Sequence, residues 1–106
     1  MNSERSMLVQ AEEVIYGDRE KTYGDPGRNI RTIAGFWNQY ISSKYGLDSK
    51  LDANDVCAMM RLLKESRLIN SPDHMDSFVD LCGYAALEGR IQHADKTKAQ
   101  EAGAKP

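Results

Sequence analysis

The sequence predicts an all-α protein, a small four-helix bundle. Apolar residues recur at intervals of three and four in four stretches of the chain, which is the period of an amphipathic helix. No stretch alternates apolar and polar residues for long enough to form a strand. Proline and glycine stand between the four stretches, where helices begin and end. A chain of 106 residues is the size of a single domain.

The first two predicted helices are separated by a polar segment. The apolar period of the first helix stops at Gly17, and the second begins with Asp25 as N-cap and Pro26 in the first helical position. Gly46 ends the second helix. Its apolar stripe covers about half of the helical wheel, which is more than one neighbouring helix hides, so we expect a homo-oligomer. The stripe contains Ile30, Ile33, Ala34, Trp37, Tyr40 and Ile41.

The third and fourth helices complete the predicted bundle. Asp52 is the expected N-cap of the third helix, and Asp55 stands at the position that completes a capping box. The fourth helix is expected to open at residues 71–73. We expect residues 1–93 to form the domain and residues 94–106, which contain no large apolar side chain, to form a mobile tail. The expected inward residues are Val56, Met59, Met60, Leu62 and Leu63 of the third helix, and Met75, Phe78, Val79, Cys82, Ala85 and Ala86 of the fourth.

Composition excludes several classes of function. The net charge of −2 gives no global basic field for duplex nucleic acid. No apolar run reaches the roughly 18 residues of a membrane span, and the N-terminus lacks a signal-peptide core. Cys57 and Cys82 lie far apart in apolar helical patterns, which is typical of reduced core thiols in a cytoplasmic protein. No P-loop, dinucleotide fingerprint or catalytic triad is present.

Residues 16–26 read YGDREKTYGDP and combine cationic with aromatic side chains between two helices. Polar segments of this kind often hold ligand sites, although a simple connector with a helix cap explains the same residue types. Arginine and lysine bind phosphate, and aromatic rings stack on bases. With cations and rings at the later helix ends, the candidate ligand-binding residues are Arg19, Lys21, Tyr23, Arg28, Asn29, Trp37, Lys64, Arg67 and Tyr84.

A charged pattern links the last two helices. Arg67 falls in the middle of the apolar stripe of the third helix, where a charge must be paired or must reach a ligand. Asp76 and Asp80 share one side of the fourth helix. We therefore expect Arg67 and Lys64 to pair with these two acids across the two helices in the resting protein, with Arg67 on one of them. In the alternative interpretation, the cations bind phosphate and the two carboxylates form a minimal magnesium site.

Three motifs in order, R-x-x-x-Y-G-D-P-x-x-N, D-V-x-x-M-M-x-L-L-K-x-x-R and D-x-x-x-D-L-x-G-Y-A, resemble a family of small phage-encoded domains without a settled activity. The last two helices are more distantly similar to the all-α nucleoside triphosphate pyrophosphatases of the MazG and dimeric dUTPase kind. That resemblance implies oligomeric bundles with magnesium held by an E-x-x-E pair and an E-x-x-D pair. Asp76 and Asp80 are the counterpart of the second pair, whereas Arg61, Lys64, Glu65 and Arg67 stand where the first is expected.

Three hypotheses about function follow. The first is non-enzymatic binding or sequestration of a phosphate-bearing, nucleotide-like ligand, such as a host defence signal, in the cytoplasm of an infected cell. It requires no cofactor. The second is a magnesium-dependent, MazG-like nucleoside triphosphate pyrophosphatase. The third is an interaction module that docks a host protein. The cluster of cations and the missing E-x-x-E pair favour the first.

Overall fold

The computed structural model describes residues 3–16 and 26–104, and these residues are helical apart from two connectors. Helix α1 spans Ser3–Tyr16, α2 spans Pro26–Tyr45, α3 spans Ala53–Asn70 and α4 spans Met75–Ala104. No strand occurs in these ranges, so the predicted all-α bundle is confirmed. In the same ranges, no helix has the length and apolar character needed to cross a membrane.

Local signals set the helix boundaries as predicted in two places. Gly46 has a φ of +65° and its N–H donates to the carbonyl of Ser42, which ends α2. At the start of α3, the Asp52 side chain accepts from the N–H of Asp55, and the Asp55 side chain accepts from the N–H of Asp52, both at 2.9 Å. The predicted capping box is therefore present.

The start of α4 differs from the prediction. Residues 72–73 form a turn, and the helix begins at Met75. The N–H of Ser77 donates to the carbonyl of His74, and the Ser77 hydroxyl lies 2.7 Å from His74 Nδ1. Ser77 is buried and takes part in this local pairing. The first turn of α4 thus begins two residues after the expected opening at residues 71–73. The helix continues to Ala104, so most of the predicted tail is helical, and its mobility stays a prediction.

The four helices form an open arrangement. Helix α4 contacts the other three helices, and α2 also contacts α3. Among the described residues, α1 contacts α4 and neither α2 nor α3. The main core lies between α2, α3 and α4, and it consists of Ile30, Ala34, Ala53, Val56, Cys57 and Ile91.

Two expectations about inward faces were wrong. On α3, Val56 is fully buried, but Met59, Leu62 and Leu63 are exposed. On α4, Val79 is buried, whereas Phe78, Ala85 and Ala86 are exposed. The side of α4 that meets the core carries Leu87 and Ile91, which lie one and five residues beyond Ala86, the last residue of the expected stripe.

The connector between α2 and α3 is held by the side chain of Asn38. Its Nδ2 donates to the carbonyl of Leu51 at 2.9 Å, and its Oδ1 accepts from the N–H of Leu51 at 2.8 Å and from Ser49 Oγ at 2.6 Å. These three hydrogen bonds join the middle of α2 to the last residues before the capping box. They set where α3 starts relative to α2.

Candidate functional site

A row of polar pairs runs between α3 and α4, and we call it the polar seam. Lys64 Nζ lies 2.8 Å from Asp80 Oδ2, and Arg61 forms an ion pair with Glu88. Further along, Asn54 Nδ2 donates to Gln92 Oε1 at 2.7 Å. The order of the pairs is reversed between the two helices, because α3 and α4 run in opposite directions. The polar seam therefore places two cations of α3 against two carboxylates of α4.

Burial differs along the polar seam. The Lys64 side chain is 13% exposed, whereas that of Asp80 is 36% exposed. Arg61 and Glu88 are both about one third exposed. An ammonium group this well buried needs a hydrogen-bonded anion beside it, and Asp80 supplies one. Lys64 is thus engaged within the chain, and a ligand phosphate would have to compete with Asp80 for it.

Cys57 is a fully buried thiol of the core, close to the Arg61–Glu88 pair. The pKa of the thiol is raised to about 11, chiefly because the thiol is buried; the Glu88 carboxylate adds to the rise and the Arg61 guanidinium opposes it. The thiol is therefore protonated at neutral pH, which makes it a poor nucleophile and a poor metal ligand. Cys57 and Cys82 are both free, as predicted.

The expected pairing of Arg67 is wrong. Arg67 is exposed, and it forms no ion pair with Asp76 or Asp80. Lys64, one turn earlier on α3, does pair with Asp80, as the same interpretation expected. Arg67 lies on the side of α3 that carries Val56, but eleven residues further along the helix, where that side is exposed. Its possible role in ligand binding is unaffected, since an exposed guanidinium is accessible.

The two aspartates proposed for magnesium have different environments. Asp76 is exposed in the first turn of α4, and Asp80 already has the Lys64 ammonium on one carboxylate oxygen. A magnesium site takes hard oxygen ligands without a competing cation among them. Within residues 3–16 and 26–104, no group of three or more His, Cys, Asp or Glu side chains is placed to hold a metal ion. The residues present in this region do not fit a magnesium site.

The candidate ligand-binding residues are only partly described. Arg19, Lys21 and Tyr23 lie outside the described residues. Arg28 and Asn29 are exposed in the first turn of α2. The two remaining candidates are partly buried rings: Trp37 packs against the core, and Tyr84 lies on α4 four residues after Asp80.

Sequence reasoning missed the Arg61–Glu88 pair and the role of Asn38. Glu88 could have been found, because it follows Asp76, Asp80 and Tyr84 at four-residue intervals and so continues the same side of α4. No local signal identifies Asn38, since its three partners lie 11 to 13 residues away.

A cleft of about 330 Å³ lies between α2, the connector and the start of α3. Its polar lining includes Arg31, Asn38, Asp52 and Asn54. The side chain of Asn38 already forms hydrogen bonds to the connector, and the side chain of Asp52 already forms one in the capping box. None of the described candidate ligand-binding residues lines this cleft. The cleft is therefore separate from the predicted site.

Comparison with known proteins identifies related sequences. The family described as "Domain of unknown function (DUF6378)" matches residues 6–92. The chain is 39% identical to the Gene 55 protein of Mycobacterium phage L5 over 87 residues, which cover 82% of this chain and 53% of that protein. It is 36% identical to the Gene 55 protein of Mycobacterium phage D29 over 86 residues, 81% of this chain and 53% of the relative. The chain thus spans about half the length of these curated relatives. No solved structure matches it.

Proposed function

The chain belongs to the DUF6378 family, and from that premise we propose that it is a phage-type domain that binds a phosphate-bearing, nucleotide-like ligand without cleaving it. We place its action in the cytoplasm of the infected cell. A host defence signal is one ligand of this chemistry. One observation carries the proposal. Asp80 and Glu88 of α4 are paired with Lys64 and Arg61 of α3. Arg28 and Arg67, near helix ends, are exposed and therefore accessible to a ligand.

The polar seam favours anion binding over metal-assisted hydrolysis. Pyrophosphate release requires carboxylates that position a metal ion against the phosphates. Asp80 and Glu88 are neutralised by α3 side chains, so they are poorly placed for that task. Because the acids are neutralised internally, they also repel an incoming phosphate less than free carboxylates would.

Arg28 and Arg67 are the described cations best suited to a phosphate. Both are exposed, and within the described chain neither takes part in an ion pair. Arg28 lies in the first turn of α2, where the backbone N–H groups and the helix dipole also favour an anion. The planar guanidinium can donate two parallel hydrogen bonds to phosphate oxygens. Arg19, Lys21 and Tyr23 of residues 16–26 belong to the same proposed site.

The test measures binding and turnover in one set of samples. The purified protein is incubated with each nucleoside triphosphate and with cyclic dinucleotides, in the presence of magnesium. Bound nucleotide is then released by heat and identified by mass spectrometry. We expect intact ligand, and we expect Arg67→Ala or Arg28→Ala to raise its dissociation constant by roughly tenfold or more, as a charge-assisted bidentate contact is lost. Lys50→Ala is the matched control, since Lys50 is an exposed cation that pairs only with Asp48.

Two results would contradict the proposal. Steady pyrophosphate release that Asp80→Asn abolishes would show a magnesium-dependent pyrophosphatase instead. Equal binding by the wild type, Arg28→Ala and Arg67→Ala would show that the described arginines take no part.

A further inference from the structure

The exposed part of α2 carries aromatic rings rather than large aliphatic side chains. Phe36 is 70% exposed, Tyr40 59% and Tyr45 61%, and these three rings are the exposed large apolar residues of the helix. Phe36, Tyr40 and Lys44 follow one another at intervals of four residues, so each lies one turn above the last. We call Phe36, Tyr40, Lys44 and Tyr45 the aromatic surface of α2.

A cation lies between two of these rings. Lys44 Nζ is 5.7 Å from the centroid of the Tyr40 ring and 5.5 Å from that of the Tyr45 ring. It also donates to the Tyr40 hydroxyl at 3.3 Å. Within residues 3–16 and 26–104, Lys44 forms no ion pair with a carboxylate. The rings therefore hold the ammonium group in place without neutralising it, and it can still attract an anion.

Helix α2 has a charge balance opposite to that of the whole chain. Its 20 residues include Arg28, Arg31 and Lys44 but no Asp or Glu, although the chain has 16 acidic residues and a net charge of −2. In the connector that follows, Asp48 pairs with Lys50. The aromatic surface thus lies on a helix of positive charge, to which a partner with repeated negative charges is complementary.

Rings together with a cation favour single-stranded nucleic acid as that partner. Every base has a flat face that stacks on an aromatic ring, and the phosphates between the bases are attracted to cations beside the rings. A single strand therefore supplies a complement to both parts of the aromatic surface. An apolar protein surface would complement the rings but not Lys44. In a duplex, the bases are stacked on one another and their faces are not free.

We propose that the aromatic surface of α2 binds single-stranded nucleic acid, with bases stacked on the rings and Lys44 on the phosphate backbone. The groups recognised are common to DNA and RNA. This inference goes beyond the nucleotide-like ligand proposed above, because the partner is a polymer and none of the four residues belongs to the proposed ligand site. The net charge of −2 does not oppose it, since the attraction is local to α2.

Fluorescence anisotropy of labelled strands with the full chain provides the test. The probes are a DNA strand and an RNA strand of mixed sequence and about 20 nucleotides, each compared with its own duplex at low ionic strength. We expect a single strand to bind at least tenfold more tightly than its duplex. We also expect the affinity to fall as the salt concentration rises. The two probes show which of the two strands is preferred.

Substitutions locate the contact. Phe36→Ala removes one stacking ring and should raise the dissociation constant about tenfold, whereas Phe36→Tyr keeps a ring and should bind as the wild type does. Lys44→Gln should weaken binding and reduce its dependence on salt, because a phosphate contact is lost. Leu62→Ala is the matched control, since Leu62 is 68% exposed but lies on α3. It should leave the affinity unchanged.

Three results would overturn the proposal. The first is a wild type that binds neither strand at low salt. The second is equal affinity for single strand and duplex, which would show attraction by charge alone. The third is unchanged affinity in both Phe36→Ala and Lys44→Gln, with circular dichroism confirming that both variants are folded. Arg67→Ala, which tests the nucleotide-like ligand, should leave strand binding intact, so the two proposals can fail separately.

Discussion

The two sides of α3 differ in a way that reverses the usual distribution of residue types. The inner side carries Arg61 and Lys64, which are partly or largely buried against carboxylates of α4. The outer side carries Leu62 and Ile69, which are among the most exposed large apolar residues described. Charged groups are costly to bury and apolar groups are costly to expose. Buried charged groups and exposed apolar groups therefore occur on opposite sides of the same helix, and the two sides have different environments.

The comparison shows what each side stabilises. The inner side holds the fold together, because Val56 and Cys57 are fully buried beside the ion pairs. The outer side adds little to the stability of one chain. Its side chains bury little apolar surface, so the two sides should respond differently to substitution.

The largest expected difference comes from paired alanine substitutions. Val56→Ala removes fully buried methyl groups and should lower the free energy of unfolding by about 2–3 kcal/mol at every protein concentration. Leu62→Ala should change the free energy of unfolding by less than about 0.5 kcal/mol, because the Leu62 side chain is 68% exposed. Urea unfolding followed by circular dichroism measures both effects. A loss for Leu62→Ala as large as that for Val56→Ala would contradict this comparison.

The charged residues provide a second, smaller test. Lys64→Ala removes the partner of Asp80 and should lower the free energy of unfolding by about 1–2 kcal/mol. The loss is moderate because water partly solvates the Asp80 carboxylate that is left behind. Arg67→Ala should change stability by less than about 0.5 kcal/mol, because Arg67 is exposed. The double variant Lys64→Ala, Asp80→Ala should be less destabilised than the sum of its single variants. Thermal melts of the wild type, the three single variants and the double variant give these values. An Arg67→Ala loss comparable to that of Lys64→Ala would restore the buried placement of Arg67.

The last test concerns the buried thiol at alkaline pH. The pKa of Cys57 rises from its ordinary value of 9.0 to about 11 in the folded chain. Between these values the unfolded chain loses the thiol proton and the folded chain keeps it, so the free energy of unfolding should fall as pH rises from about 9 to about 11. The measurement is the difference in melting temperature between the wild type and Cys57→Ala across this pH range. Lysines and tyrosines titrate in both proteins, so their contributions to the pH dependence cancel in this difference.

Thiol labelling gives an independent check of the same burial. At pH 8, Ellman's reagent should modify the partly exposed Cys82 while Cys57 reacts only after denaturation. Equal labelling rates for the two thiols would contradict the burial of Cys57.

Local features of the fold could be predicted from the sequence. Asp52 with Asp55, and Gly46, act within one helical turn, so their residue types carry the information. The orientation of α3 could not be predicted in the same way. A helical wheel shows which residues share a side of a helix, but not how far along the helix that side is covered. Val56 and Arg67 share a side of α3, yet Val56 is fully buried and Arg67, eleven residues later, is exposed.

The candidate site shows the same limit. The sequence located the cations and the carboxylates that meet across α3 and α4, because four-residue spacing fixes which residues share a side. It did not determine that Lys64 rather than Arg67 meets Asp80, since that depends on how the two helices are rotated against each other.

The Asn38 hydrogen bonds also have a practical consequence for labelling and insertion. The Asn38 hydrogen bonds hold Ser49 and Leu51, and these anchored residues set where α3 starts. Leu47 and Asp48 precede the anchored residues, are exposed and do not contribute to setting that start. A fluorophore or a short peptide tag introduced at residues 47–48 should be tolerated, because it leaves the anchor and the capping box intact. This part of the chain therefore offers an attachment point that replaces no residue of the polar seam.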